Sequence, residues 1–211
     1  MISMAVVRRL PKYYRYLSEL LRRDIDRISS KELSEKIGFT ASQIRQDLNN
    51  FGDFGQQGYG YNVKELHREI SKILGLHREY NIVIVGAGNL GQALANYSGF
   101  SRQGFKLKAI FDKNPKLVGI RINDIEIKDI DTLPEFIEEN SIDIGVLCVP
   151  KNSAQEVTNI LVEKGIQGIW NFAPADLEVP ERIAVENVHL SESLMTLTYI
   201  INEAKLLKED K

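Results

Sequence analysis

Apolar positions along the first quarter of the chain fall at helical spacing. Between Lys12 and Arg23, Tyr13, Tyr16, Leu17, Leu20 and Leu21 lie on one side of a predicted helix. Pro11 stands near its start, where a missing N–H costs least. Ser29 to Glu32 has the S-x-x-E form of a capping box and predicts a short helix with Leu33 and Ile37 inward, ended by Gly38. Thr40 to Gln43, T-x-x-Q, predicts a second box a few residues later. The helix it opens runs to about Asn50, with Ile44, Leu48 and Phe51 on one face. Phe51 to Tyr61 reads FGDFGQQGYGY, glycines alternating with aromatics and polar residues, which predicts a tight hairpin. Asn62 to Glu65 caps a further helix to about Leu76, and His77 to Tyr80 reads as a join between domains.

Beyond the join the period changes. Short apolar runs at Asn81–Val85, Leu107–Phe111, Ile142–Val149, Ile166–Phe172 and Ile183–Val188 predict strands. Helical segments begin at Asn89 and lie near Thr132–Glu139 and Asn152–Lys164. Strands alternating with helices imply a parallel α/β sheet. Ser191 to Leu207 is a last helix whose Leu194, Met195, Leu197, Ile200, Ile201, Ala204 and Leu207 cover more than one stripe, too apolar for a freely solvated tail. The expected organisation is a helix-turn-helix domain over residues 1–78, an α/β dinucleotide-binding domain of the Rossmann type over 79–190, and a C-terminal dimerisation helix over 191–211.

Charge sharpens this division. Residues 1–78 carry 14 Lys/Arg against 9 Asp/Glu, and the remainder 13 against 20, within a net charge of −2. A basic first piece on an acidic body suggests a polyanionic partner for the first piece only. No apolar run reaches the ~18 residues of a membrane span, and the stretch before Arg8 is too short for a secretory signal core. The lone Cys148 rules out an internal disulfide framework and fits a reducing cytoplasm.

Gly86-Ala87-Gly88-Asn89-Leu90-Gly91 is G-x-G-x-x-G, placed after a strand and opening a helix. Gly86 permits the tight turn, Gly88 lets backbone approach a pyrophosphate, and Gly91 lets helix and strand pack closely. Asp112 ends the second strand, 21 residues after Gly91, where a carboxylate accepts hydrogen bonds from ribose hydroxyls and repels a 2′-phosphate. The reading is NAD(H) rather than NADP(H), with the adjoining Lys113 softening that repulsion. Ligands of open α/β sheets lie outside the strand C-termini, so Val149, Pro150, Asn171 and Phe172 are expected around the nicotinamide. Cys148, at the same edge, reads as a small buried hydrophobe rather than a reactive thiol.

Two short capped helices joined through Gly38-Phe39-Thr40 form a helix-turn-helix pattern. The second would turn Ser42, Gln43, Arg45, Gln46 and Asn49 outward to base edges and phosphates, and the glycine-aromatic hairpin, with Gln57 and Tyr59, would be a wing. Two other readings stay open on these residues. A small NAD-dependent oxidoreductase would need a positioned acid or base, yet His67, His77 and His189 all lie outside the cofactor turns. A cofactor-binding oligomerisation module would bind no DNA. No metal-ligand spacing occurs near the strand ends.

The stretches RRLPKYYRYL, SSKELSEKIGFTASQIRQDLNNFG, GYGYNV, ILGL, VGAGNLGQAL, NYSGF and NFAPADLEVP span nearly the whole chain. In them the chain resembles the Rex family of redox-sensing transcriptional repressors. The resemblance implies a winged-helix repressor rather than an enzyme, a homodimer exchanging C-terminal helices, a palindromic double-stranded operator, and release from it by NADH, with NAD+ far weaker. It implies that Tyr97 sits near the nicotinamide, that Leu190 reaches the partner's cofactor pocket, and that Arg15 contacts the dinucleotide-binding side of the dimer. His189 departs from an Asp frequent in the family, which removes a charge that could pair with Arg15. Gln46 and Gln57 stand where relatives often carry Lys or Arg.

Overall fold

Periodicity and caps decide the first elements. Residues 3–52, 55–56 and 59–209 are described in a computed structural model. A short helix α1 (Met4–Val7), capped by Ser3, precedes α2 (Leu10–Leu21). Four residues are too few to show a period, which is why α1 was not anticipated. Helix α2 starts two residues earlier than expected, with Pro11 in its first turn, and buries Leu10, Tyr13, Leu17 and Leu20. Strand β1 (Arg27–Ile28) leads into α3 (Ser30–Ile37), where both halves of the Ser29–Glu32 box are made and Gly38 caps the end at φ +74°. Helix α4 (Ala41–Asn49) follows from Thr40, whose hydroxyl accepts the Gln43 N–H at 3.1 Å.

The hairpin forms from β2 (Gly55–Gln56) and β3 (Gly60–Asn62). The unpredicted β1 joins it on the other side, giving the antiparallel order β1-β3-β2. Helix α5 (Val63–Ile73), capped by Asn62, returns Val63, Leu66 and Ile70 to the core formed with α2, α3 and α4. Each such fully buried aliphatic side chain contributes roughly 1.5–3 kcal/mol of transfer free energy.

The chain divides into two compact units, Met1–Arg78 and Glu79–Lys211. The second is built on β4 (Tyr80–Val85), α6 (Asn89–Ala95), α7 (Gly99–Arg102) and β5 (Phe105–Asp112). A hairpin of β6 (Arg121–Ile122) and β7 (Ile125–Asp129) follows. Then come α8 (Leu133–Asn140), β8 (Ile144–Leu147), α9 (Lys151–Glu163), β9 (Gly168–Asn171), β10 (Ala184–Asn187) and α10 (Leu190–Glu209). The strands form one sheet in the order β10-β9-β8-β4-β5-β7-β6, parallel except for the β6–β7 pair.

Alternation along the strands splits the apolar residues between two faces. Val83, Val85, Ala109 and Phe111 meet α8 and α9, whereas Ile82, Ile84 and Ile110 share the other face with Ala87, Leu94 and Ala95. Helix α10 leaves its apolar side chains uncovered among the described residues. Leu190, Leu194, Met195, Leu197, Tyr199, Ile200 and Ile201 are each 45–66% exposed. Among the described residues no helix is long and apolar enough to cross a membrane.

Candidate functional site

The glycine turn is held from three sides. Gly86, at φ +103°, donates its N–H to the Phe111 carbonyl at 2.8 Å, and a Cβ there would stand 2.5 Å from the Cys148 carbonyl oxygen. Ala87 buries its methyl group, and its N–H donates to Asp112 Oδ2 at 2.6 Å. Gln92 Nε2 donates to the Ala87 carbonyl at 2.7 Å. At Gly91 a Cβ would overlap the Gly86 carbonyl oxygen, so only glycine lets α6 approach β4 this closely. Gly88 and Asn89 are exposed, Leu90 is half-buried, and a Cβ added to Gly88 would meet nothing. The turn is therefore closed on its protein side and open above Gly88, and the N-cap of α6 has no side-chain cap. That open cradle at the end of β4 fits a dinucleotide pyrophosphate on backbone N–H groups.

Three expected ligand-facing residues are already engaged. Asp112 accepts from Ala87 N–H and, at 2.8 Å, from Asn114 N–H, because these two peptide donors lie within its reach. A carboxylate has about four acceptor positions, so capacity for ribose hydroxyls remains alongside a bracing role. Ala87 builds the turn, with both its methyl and its N–H committed. Asn171 was expected at the nicotinamide, but its side chain is fully buried. It donates to the Ala175 carbonyl at 2.9 Å and to Asn187 Oδ1 at 2.8 Å, and accepts the Ala173 N–H at 2.9 Å. A buried amide must find partners, and these shape the turn after β9. Val149 is half-buried, its Cγ1 lying 3.2 Å from where a Gly86 Cβ would be, while Pro150 caps α9 and Lys113 is exposed.

Tyr97 and Phe172 are linked through two rings the sequence reading did not single out. Tyr97 meets Phe100 edge-on at 4.8 Å between centroids, Phe100 meets Trp170 at 5.5 Å, and Trp170 meets Phe172 at 4.6 Å. The i,i+2 spacing of Trp170 and Phe172 was the available signal, since in extended chain it puts both on one side, Trp170 in β9 and Phe172 just past its end. Tyr97 also lines a groove of about 480 Å³ with Ile82 and Ile84 of β4 and the N-terminal half of β5. Burial pushes the Cys148 thiol up to about 12, so it stays protonated. His189 Nδ1 lies 2.8 Å from Glu192 Oε1 in the first turn of α10, and Arg15 is exposed on α2.

In the first unit, α4 exposes Ser42, Arg45, Gln46 and Asn49. Arg45 reaches back to donate to Ser30 Oγ at 3.0 Å. Gln43 behaves differently from expectation. It is half-buried and its Nε2 donates to Asp47 Oδ1 at 2.8 Å, so the return half of the Thr40 box is not made. A carboxylate is the stronger acceptor. Asp47 itself was missed, although it sits in the Ile44–Leu48 stripe and is completely buried. Arg9 grips it through Nε at 2.6 Å and Nη2 at 2.7 Å, and Tyr13 Oη donates at 2.6 Å. Burial opposes the Asp47 charge, but the bonds from Arg9, Tyr13 and Gln43 outweigh it and hold the carboxyl below its usual range. In the wing Tyr59 is 70% exposed, with the Arg27 guanidinium 5.9 Å from its ring. Gln57 lies outside the described residues. Among the described residues no cluster could hold a metal ion.

Comparison with known proteins agrees with both halves. The family described as a CoA binding domain matches residues 77–175, and the family described as a putative DNA-binding protein N-terminus matches residues 1–49. The redox-sensing transcriptional repressor Rex of Clostridium botulinum is 70% identical over 204 residues, 97% of each chain. Rex of Clostridium perfringens is 70% identical over 201 residues, 95% of each. A crystal structure of RSP in complex with β-NAD+ and operator DNA matches with a TM-score of 0.91 and 61% identity, covering 99% of this chain and 96% of that one. RSP in complex with β-NADH matches with a TM-score of 0.91 and 58% identity, covering 100% and 99%. With such identity along almost its full length, the chain belongs to the Rex family of redox-sensing transcriptional repressors.

Proposed function

We propose that this chain is a homodimeric repressor that binds palindromic operator DNA through α4 and the wing and leaves it when NADH occupies the turn after β4. The observation that carries this reading is that one chain holds both a glycine turn braced by Asp112 and a capped helix-turn-helix with Ser42, Arg45, Gln46 and Asn49 exposed at its surface. Relatives 70% identical over nearly the whole chain are repressors by name, and the similar protein RSP was crystallised with β-NAD+ and operator DNA together. The chain is a regulator, not an enzyme, and its place is the cytoplasm, beside the chromosome.

Gly86, Gly88, Asn89, Leu90 and Gly91 hold the pyrophosphate, and Asp112, with Lys113 beside it, receives the adenosine ribose. Val149, Pro150, Phe172 and Tyr97 surround the nicotinamide. Adenosine and pyrophosphate are common to both redox forms, so discrimination belongs to the nicotinamide half. NAD+ carries a cationic ring and NADH a neutral one. The surroundings named are apolar or aromatic, and burying an unpaired cation among them is costly. A closed dimer therefore favours NADH. Helix α10, with its apolar residues uncovered, supplies the dimer contact by exchange between subunits, and two-fold symmetry would set recognition helices about 34–36 Å apart.

Linkage requires operator DNA to weaken NADH binding by the factor by which NADH weakens operator binding. Full switching needs a preference of about 5.5 kcal/mol between the two states, shared by two cofactor sites. The test is operator affinity at fixed salt across a range of NADH:NAD+ ratios. Affinity should fall as the NADH fraction rises at constant total dinucleotide. Dependence on total dinucleotide alone would leave a plain NAD-binding regulator.

A further inference from the structure

Gly99 has no backbone reason to be glycine. It opens α7 without the positive φ found at turns such as Gly86 and Gly104. Alanine has the higher helix propensity. What excludes a side chain is its neighbour two residues back. A Cβ at position 99 would overlap Tyr97 Cε1 and Cζ and lie 2.6 Å from the hydroxyl oxygen. The hydroxyl end of the ring occupies the space a side chain would need, and Gly99 is buried. Phe100 meets the ring edge-on at 4.8 Å and itself packs against Trp170.

The colliding atoms are the far end of a side chain that is otherwise 56% exposed. A methyl group at 99 would thus swing the ring outward at little cost to the fold. We propose that Gly99 is a positioning residue for cofactor recognition: it lets Tyr97 lie back against Phe100, in the pose from which it meets the nicotinamide. The inference rests on Tyr97 belonging to the nicotinamide half, and it says nothing of the adenosine half, which is held by the glycine turn and Asp112.

The experiment is calorimetric titration of the full-length parent, G99A, Y97A and the double variant with NADH and with ADP-ribose, which lacks the nicotinamide. G99A should weaken NADH about three- to tenfold, the worth of one aromatic contact. It should leave ADP-ribose affinity, and with it the folded site, unchanged. In the Y97A background the added methyl should change nothing, because no ring remains to displace. NADH affinity of G99A equal to the parent's would overturn the proposal. So would an equal loss for ADP-ribose, or a loss that persists without Tyr97. If Y97A alone leaves NADH affinity intact, the assignment of Tyr97 fails and the role of Gly99 falls with it. An undiminished effect of D112A would then show that the cofactor-site reading itself stands.

Discussion

Asp47→Asn is the substitution that should most disturb the first unit while changing its volume least. Four hydrogen bonds converge on a carboxylate with no solvent exposure: two from Arg9, one from Tyr13 and one from Gln43. An amide keeps one acceptor oxygen, but its NH2 must face another donor, and the Arg9 charge loses its partner. Breaking a buried ion pair from one side costs about 3–5 kcal/mol. The Arg9 side chain is 22% exposed and can regain water, so the lower end, about 3 kcal/mol, is expected. Removing both charges differs: R9M with D47L should come within about 1 kcal/mol of the parent, since apolar replacement of a buried pair is often neutral. Hydrogen exchange of the peptides covering α2 and α4 in the full chain reads the first unit alone. Acid supplies a second arm. The folded carboxyl titrates below its usual range, so its contribution is complete above about pH 4 and is lost as pH falls through the lower folded value. Urea melts at pH 7 and in acid should therefore show the gap between parent and D47N narrowing as pH falls. Equal protection of parent and D47N at pH 7, or a gap indifferent to acid, would refute this account of the clamp.

Asp112→Ala should weaken NADH by about 1.5–3 kcal/mol, the worth of hydrogen bonds to a charged acceptor, and weaken NADPH less; calorimetry with both cofactors checks this. Part of the loss should also appear with ADP-ribose, because Asp112 braces Ala87 in the turn. Arg45→Ala should cost roughly 1–3 kcal/mol of operator discrimination if the guanidinium meets a guanine edge, with NADH affinity unchanged, as a gel shift paired with a cofactor titration would show. Deleting residues from Ser191 onward should leave a monomer by sedimentation, since the uncovered apolar face of α10 would be gone.

Local interactions were legible in the sequence and long-range ones were not. The Ser29–Glu32 box, the Thr40 and Asn62 caps and the Gly38 stop each act within a few residues, so their spelling predicts α3, α4 and α5 closely. The parallel sheet was readable from strand-length apolar runs. Gly86 and Gly91 declare themselves because a turn that leaves a strand and packs a helix this closely tolerates no side chain at those points. The exposed set on α4 followed from helical period alone, apart from Gln43. Strands β1, β6 and β7 were not legible: β1 and β6 have two residues each, and β7 has an ordinary polar-apolar alternation amid loop residues.

What only the tertiary structure decided is where polar side chains spend their hydrogen bonds. Asp47 lies within reach of Arg9 only because folding brings that residue, 38 positions away, onto it, and Gln43 spends its amide on the same carboxylate. Asp112 meets Ala87 across 25 residues, and Asn171 meets Asn187 across 16. Tyr97 acquires Trp170 and Phe172 as indirect neighbours only because α7 lays Phe100 over β9. A residue's type limits which bonds it can make, but its partner is whichever group the packed core delivers within about 3 Å. Sequence thus determined the kind of motif present in each unit, and packing determined which of its residues stay exposed and which hold the others in place.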